Sequence, residues 1–210
     1  MGNGYWIAHV DVTDPKGYEA YRSANAEAFH KYGARFLVRA GAFEQVEGAC
    51  RRRHVVMEFK DYDTALACYR SNEYQKAIAL RRLAADTDLL VITGYDGPQP
   101  PPASLSVTAT GAKGYWVGHV DVTEPEGYKA YMSADTAPIG QFGGRFVVRG
   151  GIFEMVEGSM RSRTVLLEFP SYEAALACYR SDAYQAAAAL RKGRADFDLI
   201  VAEGYAGAQP

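Results

Sequence analysis

The sequence predicts an α+β fold made of two tandem copies of one unit, and three observations lead to this prediction. First, residue n resembles residue n + 110, and about 55 of the 97 positions aligned between Gly4–Pro100 and Gly114–Pro210 are identical. Second, strand-type and helix-type patterns follow one another in the order β-α-β-β-α-β within each copy. Third, the copies are joined by GPQPPPASLSVTATGAK, whose prolines and small polar residues are typical of a linker. We therefore expect unit 1 over residues 1–97, a linker over 98–113 and unit 2 over 114–210.

The first strand and helix of the unit follow from alternation and capping signals. Tyr5–Val12 alternates aromatic, β-branched and polar residues, which predicts a strand. Asp14 is a favourable N-cap and Pro15 a favourable first helical residue, so a helix is expected to begin there. Its apolar face continues until Gly33, which is expected to end it.

The rest of the unit completes a ferredoxin-like order, in which an antiparallel sheet carries both helices on one face. The remaining predicted elements are a strand over Arg35–Ala40, an edge piece over Phe43–Val46, a strand over Arg53–Phe59, a helix over Tyr62–Ala85 broken near Ser71, and a strand over Leu89–Thr93. The other face of such a sheet must be covered. The second unit, packed sheet to sheet against the first, is the simplest cover that this chain offers.

Composition narrows the class of protein. The 210 residues are 48% apolar and carry a net charge of only −2, so neither a basic nucleic-acid binder nor a disordered chain is expected. Three cysteines form no disulfide framework. The chain shows neither a signal-peptide pattern nor a run of about 20 apolar residues. We expect a cytoplasmic protein with no nucleic-acid or membrane partner.

Several stretches resemble one family over nearly the full length of both halves. They are GYW-AHVDVTDP-GY-AY, GGRF-VRGG-FE--EG, R-R-V--EF-SYEAALACYRS--YQ and LR--A--D. These stretches resemble the DUF1330 family, within the dimeric α+β barrel superfamily. Because members are typically one unit that dimerises, the resemblance implies an intramolecular dimeric α+β barrel. The family has no settled activity, and the wider superfamily holds isomerases, cyclases and cofactor-independent monooxygenases.

Strand alternation assigns side chains to faces of the predicted sheet. The small Ala8 suits close packing by helices, so the Trp6 face is expected to lie beneath them. His9 and Asp11 then line the space between the two units. Alternation along the second strand places Arg39 on this lining face as well, and a pairing of Tyr5 with Phe59 would bring Asp11 close to Arg53. A slip of one residue would reverse that last placement.

These placements predict one cluster per unit, equivalent by the repeat. The members are His9, Asp11, Arg39 and Arg53 in unit 1 and His119, Asp121, Arg149 and Arg163 in unit 2. Guanidinium groups bind carboxylates through two matched hydrogen bonds, and a histidine can move a proton near neutral pH. The leading hypothesis is a cofactor-independent, metal-free isomerase, cyclase or lyase that acts on a small carboxylate-bearing anionic metabolite. The histidines and aspartates would be catalytic, and the arginines would bind the substrate.

Other interpretations remain open. Asp11 and Arg53 can form a purely structural ion pair, His9 can be a satisfied interface histidine, and Arg39 can pair with Glu44. The protein would then be a non-catalytic ligand-binding barrel or a structural one, and further homodimerisation is possible. The copies also differ where a paired site would be affected: His30, His54 and Arg22 are replaced by Gly140, Thr164 and Met132.

Overall fold

The structure is a computed structural model that describes residues 2–101 and 111–210. Most of the predicted linker, residues 102–110, lies outside the described residues, so the predicted domain limits stay predictions. In unit 1 the elements are β1 (Gly4–Val12), α1 (Pro15–Ala24), α2 (Ala26–Lys31), β2 (Arg35–Arg39), β3 (Phe43–Glu47), β4 (Arg53–Phe59), α3 (Tyr62–Arg70), α4 (Asn72–Arg81) and β5 (Ala85–Thr93). In unit 2 they are β6 (Gly114–Val122), α5 (Pro125–Ala134), α6 (Thr136–Gln141), β7 (Arg145–Arg149), β8 (Phe153–Glu157), β9 (Arg163–Phe169), α7 (Tyr172–Arg180), α8 (Asp182–Ala189) and β10 (Ala195–Glu203).

The helix boundaries follow the capping residues in the sequence. The side chain of Asp14 accepts the backbone N–H of Lys16 at 3.0 Å, which confirms it as the cap of α1. Ser71 separates α3 from α4 and caps the second of them, as its position predicted. The first predicted helix is wrong in one respect, because it breaks at Asn25 into α1 and α2. That break sets Asn25 inside the unit, where it borders a cavity described below.

The strands form two antiparallel five-stranded sheets, and each sheet borrows its last strand from the other unit. The orders are β2-β4-β1-β5-β8 and β3-β10-β6-β9-β7. Unit 1 therefore contributes β3 to the sheet of unit 2, and unit 2 contributes β8 to the sheet of unit 1. The described strands remain in two separate sheets rather than closing into one continuous barrel.

The tail of each unit also crosses to the other. The backbone N–H of Tyr205 donates to the carbonyl of Leu37 at 2.8 Å, and the side-chain amide of Gln209 bonds to both backbone groups of Phe36. Tyr95 and Gln99 make the same contacts with Val147 and Phe146 of unit 2. The two units are thus joined reciprocally at both sheets.

Three apolar layers hold the molecule together. The Trp6 face lies beneath the helices as predicted, and the indole N–H donates to the carbonyl of Ala65 at 2.9 Å. Unit 2 has an equivalent core around Trp116. Between the sheets a third cluster joins side chains from both units, among them Ile7 and Ile200. The chain is therefore an α+β protein whose two ferredoxin-like units pack sheet to sheet.

Candidate functional site

The two histidines of the repeated first strand meet at the centre of the molecule. Nε2 of His9 lies 2.8 Å from Nε2 of His119, across the space between the sheets. Both rings are buried, with exposures of 7% and 5%. The prediction that this strand face lines the space between the units is confirmed for these two residues.

The histidine contact extends into a chain of four residues. Nδ1 of His9 lies 2.7 Å from Nδ1 of His54, and Nδ1 of His119 lies 3.1 Å from Oγ1 of Thr164. Nε2 of His54 is buried and has no hydrogen-bond partner among the described residues. Sequence reasoning missed His54 as a member, because the expected pairing of Tyr5 with Phe59 is one residue out of register and would set Val55, not His54, opposite His9. The signal was present, since His54 and Thr164 were already among the differences between the copies.

Burial keeps these imidazoles neutral. Loss of hydration lowers the pKa of His54 and of His119 to about 4 and lowers the pKa of His9 well below its usual range. When the imidazoles are neutral, each ring has one N–H donor and one acceptor nitrogen, so each contact between two nitrogens holds one proton. The donors along this row of hydrogen bonds must therefore all face Thr164 or all face His54. Both ring nitrogens of His9 and of His119 are engaged in either arrangement. A bound molecule could reach a ring nitrogen of His9 or His119 only by replacing one of the hydrogen bonds between these side chains.

The aspartates do not pair with the predicted arginines. Asp11 accepts the backbone N–H of Arg52 at 2.9 Å and a guanidinium hydrogen bond from Arg51 at 3.2 Å, while Arg51 also binds Asp88 at 2.6 Å. The expected pair of Asp11 with Arg53 is therefore wrong. Unit 2 repeats the correct arrangement with Asp121, Arg161 and Asp198.

A cavity of about 250 Å³ lies between the sheets beside these groups. The histidines and charged side chains that line it are His9, His119, Arg51, Arg161, Asp88 and Asp198. Each arginine there is already bound to two carboxylates, counting Asp11 and Asp121. This inter-sheet cavity has no spare positive charge with which to hold an anion.

The four predicted substrate-binding arginines lie on the opposite, helix-covered face of the sheets. Arg53 is placed there by the register of β1 and β4, which sets Val10 opposite Arg53 and differs by one residue from the expected pairing. Arg39 is placed there by an irregularity in β2 at Leu37, which reverses the alternation. In unit 2, the register of β6 and β9 places Arg163 on the helix-covered face, and an irregularity in β7 at Val147 places Arg149 there. The expectation that arginines and histidines share one face is therefore wrong.

In unit 1 these arginines line a cavity of about 40 Å³ between the sheet and the helices, here named the unit 1 cavity. Arg39 stacks on the ring of Phe36 at 4.2 Å and donates to the hydroxyl of Tyr205 at 3.3 Å. The guanidinium of Arg53 lies 5.4 Å from the ring of Tyr18. Arg22 lines the same cavity. No described carboxylate forms an ion pair with any of these three arginines, and the alternative pair of Arg39 with Glu44 is wrong.

A fourth arginine of the unit 1 cavity is already neutralised. Arg81 is only 2% exposed and forms an ion pair with Glu157 of unit 2. Arg191 and Glu47 form the equivalent pair at 2.5 Å. These two ion pairs therefore belong to the shared framework, and they do not distinguish the units.

The equivalent space in unit 2, the unit 2 cavity, contains its own carboxylate. About 30 Å³ is lined by Arg149 and Arg163, with Asp135 in place of Asn25 and Met132 in place of Arg22. One oxygen of Asp135 lies 3.9 Å from Nη2 of Arg149 and accepts the hydroxyl of Thr136 at 3.1 Å. Burial raises the pKa of Asp135 to about 6, although the arginines oppose that rise.

Over 2–101 and 111–210, no group of three or more histidine, cysteine, aspartate or glutamate side chains is placed to hold a metal ion. No helix in the same ranges is both long enough and apolar enough to span a membrane.

The family assignment follows from a match over both units. The family described as "Domain of unknown function (DUF1330)" matches residues 3–95 and 113–205. The chain belongs to the DUF1330 family. Each of its two DUF1330 regions covers one ferredoxin-like unit. No functionally curated protein matches the chain.

Solved structures share the architecture of the DUF1330 pair at low sequence identity. A proposed monooxygenase of Fusobacterium nucleatum covers 100% of this chain and 98% of its own, with 12% identity and a TM-score of 0.55. An anthrone oxidase-like protein covers 98% and 93%, with 10% identity and a TM-score of 0.53. A chlorite dismutase variant of Candidatus Nitrospira defluvii covers 97% and 91%, with 10% identity and a TM-score of 0.53. At these identities the similarity establishes the fold alone.

Proposed function

We propose that this protein binds a small carboxylate-bearing metabolite in the unit 1 cavity. The observation that carries the proposal is the set Arg22, Arg39 and Arg53, which line this cavity without a described carboxylate partner. Residues 102–110, which the structure does not describe, read PASLSVTAT and contain no acidic side chain. The missing countercharge is therefore expected from a ligand.

The surroundings of these arginines suit a carboxylate. The fork of a guanidinium group matches two carboxylate oxygens, and a partly buried charge gains more from a partner than an exposed one does. The Nε of Arg53, like that of Arg163, is buried without a partner among the described residues. Trp6 and Phe36 supply an apolar wall, which lowers the local dielectric constant.

The size of the cavity limits what can enter. A volume of about 40 Å³ corresponds to roughly three water-sized groups, since one such group needs about 10–15 Å³. A carboxylate group fits within that space. The remainder of the metabolite would extend toward Arg22, which is exposed and borders the cavity.

Binding is tested by titrating the protein with short mono- and dicarboxylates at low ionic strength. NMR signals of the arginine Nε–H groups report the site directly. We expect saturable changes that Arg53→Gln abolishes and that the matched variant Arg163→Gln leaves unchanged. Equal effects of the two variants, or no saturable change with any carboxylate, would contradict the proposal.

A second candidate function is cofactor-independent proton transfer at the inter-sheet cavity. It is supported by the rings of His9 and His119, which border that cavity while belonging to a hydrogen-bonded chain. Asp11 and Asp121 would act there as positioning residues, because each holds an arginine of the cavity rim. Such a substrate would be a neutral polar molecule, since the cavity arginines are already paired.

Hydrogen exchange tests this second function. The protein is incubated with small carbonyl compounds in D₂O, and incorporation of deuterium at carbon is followed by NMR. Replacement of His9 and His119 together by glutamine is expected to abolish exchange, whereas His30→Gln, at an exposed histidine, is the control. Exchange that survives the double replacement would remove the histidines from the reaction.

A further inference from the structure

We infer that the carboxylate of Asp135 occupies in unit 2 the place that a ligand carboxylate occupies in unit 1. The chain then carries one open anion site and one site that it fills with its own side chain. This inference rests on the proposed function, and it explains why two cavities of similar volume should bind an anion with different affinity. It assigns the difference to the buried position of Asn25 and Asp135, with the exchange of Arg22 for Met132 acting in the same direction.

The first support is positional. Asn25 and Asp135 are related by the repeat, and each stands at the break between the two short helices of its unit. Their backbone angles are both right-handed helical, at φ −79° and ψ −13° for Asn25 and φ −70° and ψ −27° for Asp135. Both are 5% exposed, and each borders the cavity of its unit. The exchange of amide for carboxylate therefore changes charge at a fixed location.

The second support is the response of the neighbouring arginine. In unit 2, Arg149 lies within ion-pair distance of Asp135, at 3.9 Å. In unit 1, the equivalent Arg39 has no such partner among the described residues and donates to the neutral hydroxyl of Tyr205. Each arginine donates to a neutral oxygen, since Arg149 donates to the carbonyl of Met132 at 3.4 Å. Among the described residues, however, only Arg149 also has a carboxylate within ion-pair distance. Arg39 lacks that countercharge, and a ligand carboxylate can supply it.

The third support is a second difference that acts in the same direction. Arg22 of unit 1 is replaced by Met132 in unit 2, and both border their cavities. The unit 1 cavity is therefore lined by three arginines that have no carboxylate partner among the described residues, whereas the unit 2 cavity is lined by two arginines and a carboxylate. Both differences make the unit 1 cavity the more attractive one for an anion.

The groups that face Asp135 come from several elements. Arg149 lies on β7, Arg163 on β9, and Arg191 follows α8, and all three favour its ionised form. Thr136, at the start of α6, donates a hydrogen bond to the same carboxylate. An ionised Asp135 is consequently the countercharge of this cavity at neutral pH.

The test counts binding sites with acetate as the probe. The full chain is titrated at pH 7.5, and the arginine Nε–H signals of both units are followed. We expect wild type to bind one acetate, at Arg39 and Arg53. The double variant Asp135→Asn with Met132→Arg, which gives unit 2 the two residues of unit 1, is expected to bind two. The added site should shift the signals of Arg149 and Arg163.

The converse variant supplies the matched control. Asn25→Asp is expected to reduce acetate binding at unit 1 at least tenfold, because it gives unit 1 the internal carboxylate of unit 2. A folded double variant that still binds one acetate, with wild-type binding intact, would overturn this inference and leave the proposed function standing. If neither wild type nor the double variant binds acetate, both are overturned. Circular dichroism establishes that each variant is folded.

Discussion

Trp6 and Trp116 occupy the same place in two cores, whereas His54 and Asn25 of unit 1 are replaced by Thr164 and Asp135 in unit 2. The tryptophan that anchors each core is thus the same, and the differences between the copies include buried polar positions. A close-packed core tolerates few changes of volume, so it constrains both copies alike. The buried Asn25 and Asp135 instead differ in charge while keeping nearly the same size. The comparison teaches that duplication within one chain allows two similar cavities to acquire different charge.

The largest expected effect is a loss of stability at low pH, and it arises from the central histidines, of which unit 1 has two and unit 2 has one. An unfolded histidine has a pKa near 6.5, and the folded values are lower. The folded state therefore binds protons less readily, so stability is complete above pH 6.5 and is lost as the pH falls toward 4. Between pH 7.5 and 5 we expect the free energy of unfolding to fall by about 2 kcal/mol for each of His54 and His119, and the lowered pKa of His9 is expected to add to this fall.

Urea unfolding at the two pH values measures this loss. His54→Thr, which gives unit 1 the residue of unit 2, is expected to reduce this loss by about 2 kcal/mol, because the contribution of His54 is removed. His30→Gln is the control at an exposed position. Stability that does not change between pH 7.5 and 5 would show that the imidazoles titrate normally.

The next effect concerns the two equivalent ion pairs between the units, where the two units are alike. Glu157 and Glu47 each neutralise a buried arginine of the other unit. Loss of one partner from a buried ion pair costs about 3–5 kcal/mol. Glu157→Ala and Glu47→Ala are therefore expected to lower the free energy of unfolding equally, as measured by urea titration. A difference above about 1 kcal/mol between them would show that the framework itself is asymmetric.

A smaller effect on stability concerns Asp135, which is one of the positions where the units differ. Because the pKa of Asp135 is raised to about 6, the folded state holds its proton more tightly than the unfolded state does. Its contribution to stability is present at low pH and is lost as the pH rises through 6. Relative to wild type, Asp135→Asn is expected to gain about 1.5 kcal/mol in the free energy of unfolding between pH 5 and pH 7.5. The same pH series on Asn25→Ser, which alters the neutral counterpart, should show no gain relative to wild type.

The smallest effect concerns the tails. Tyr205 and Tyr95 pack alike, but only Tyr205 accepts a hydrogen bond from an arginine of the other unit among the described residues. Tyr205→Phe is expected to lower the free energy of unfolding by about 1 kcal/mol more than Tyr95→Phe does. Equal losses in thermal or urea unfolding would mean that the hydroxyl of Tyr205 does not support Arg39.

Local signals in the sequence predicted much of the fold. The N-cap Asp14, the break at Ser71 and the placement of Trp6 beneath the helices all follow from residues close together in the chain. The repeat identified the partner that covers the open sheet face. Strands borrowed across units depend on contacts between distant segments, and no local pattern reports them.

The candidate site was predicted less well, for a related reason. Side chains in a strand alternate with a period of two, so an error of one residue moves a side chain to the other face. The register of β4 moved Arg53 in this way, and the irregularity at Leu37 moved Arg39. His9 was placed correctly because β1 is regular, whereas its neighbour His54 was missed with the register.

The exchange of β3 and β8 has a consequence for the order of folding during synthesis. In the sheet of unit 1, Leu89 of β5 pairs with Glu157 of β8, which is 68 residues away along the chain (157 − 89). In the sheet of unit 2, Glu47 of β3 pairs with Leu199 of β10, which is 152 residues away (199 − 47). Loop closure becomes more costly with length, and a strand cannot pair before its partner leaves the ribosome. The sheet of unit 1 can therefore be complete once β8 has emerged, while β3 stays unpaired until β10 has emerged. Until then β3 is an open sheet edge, and this nascent intermediate is the point at which two chains can exchange strands with each other.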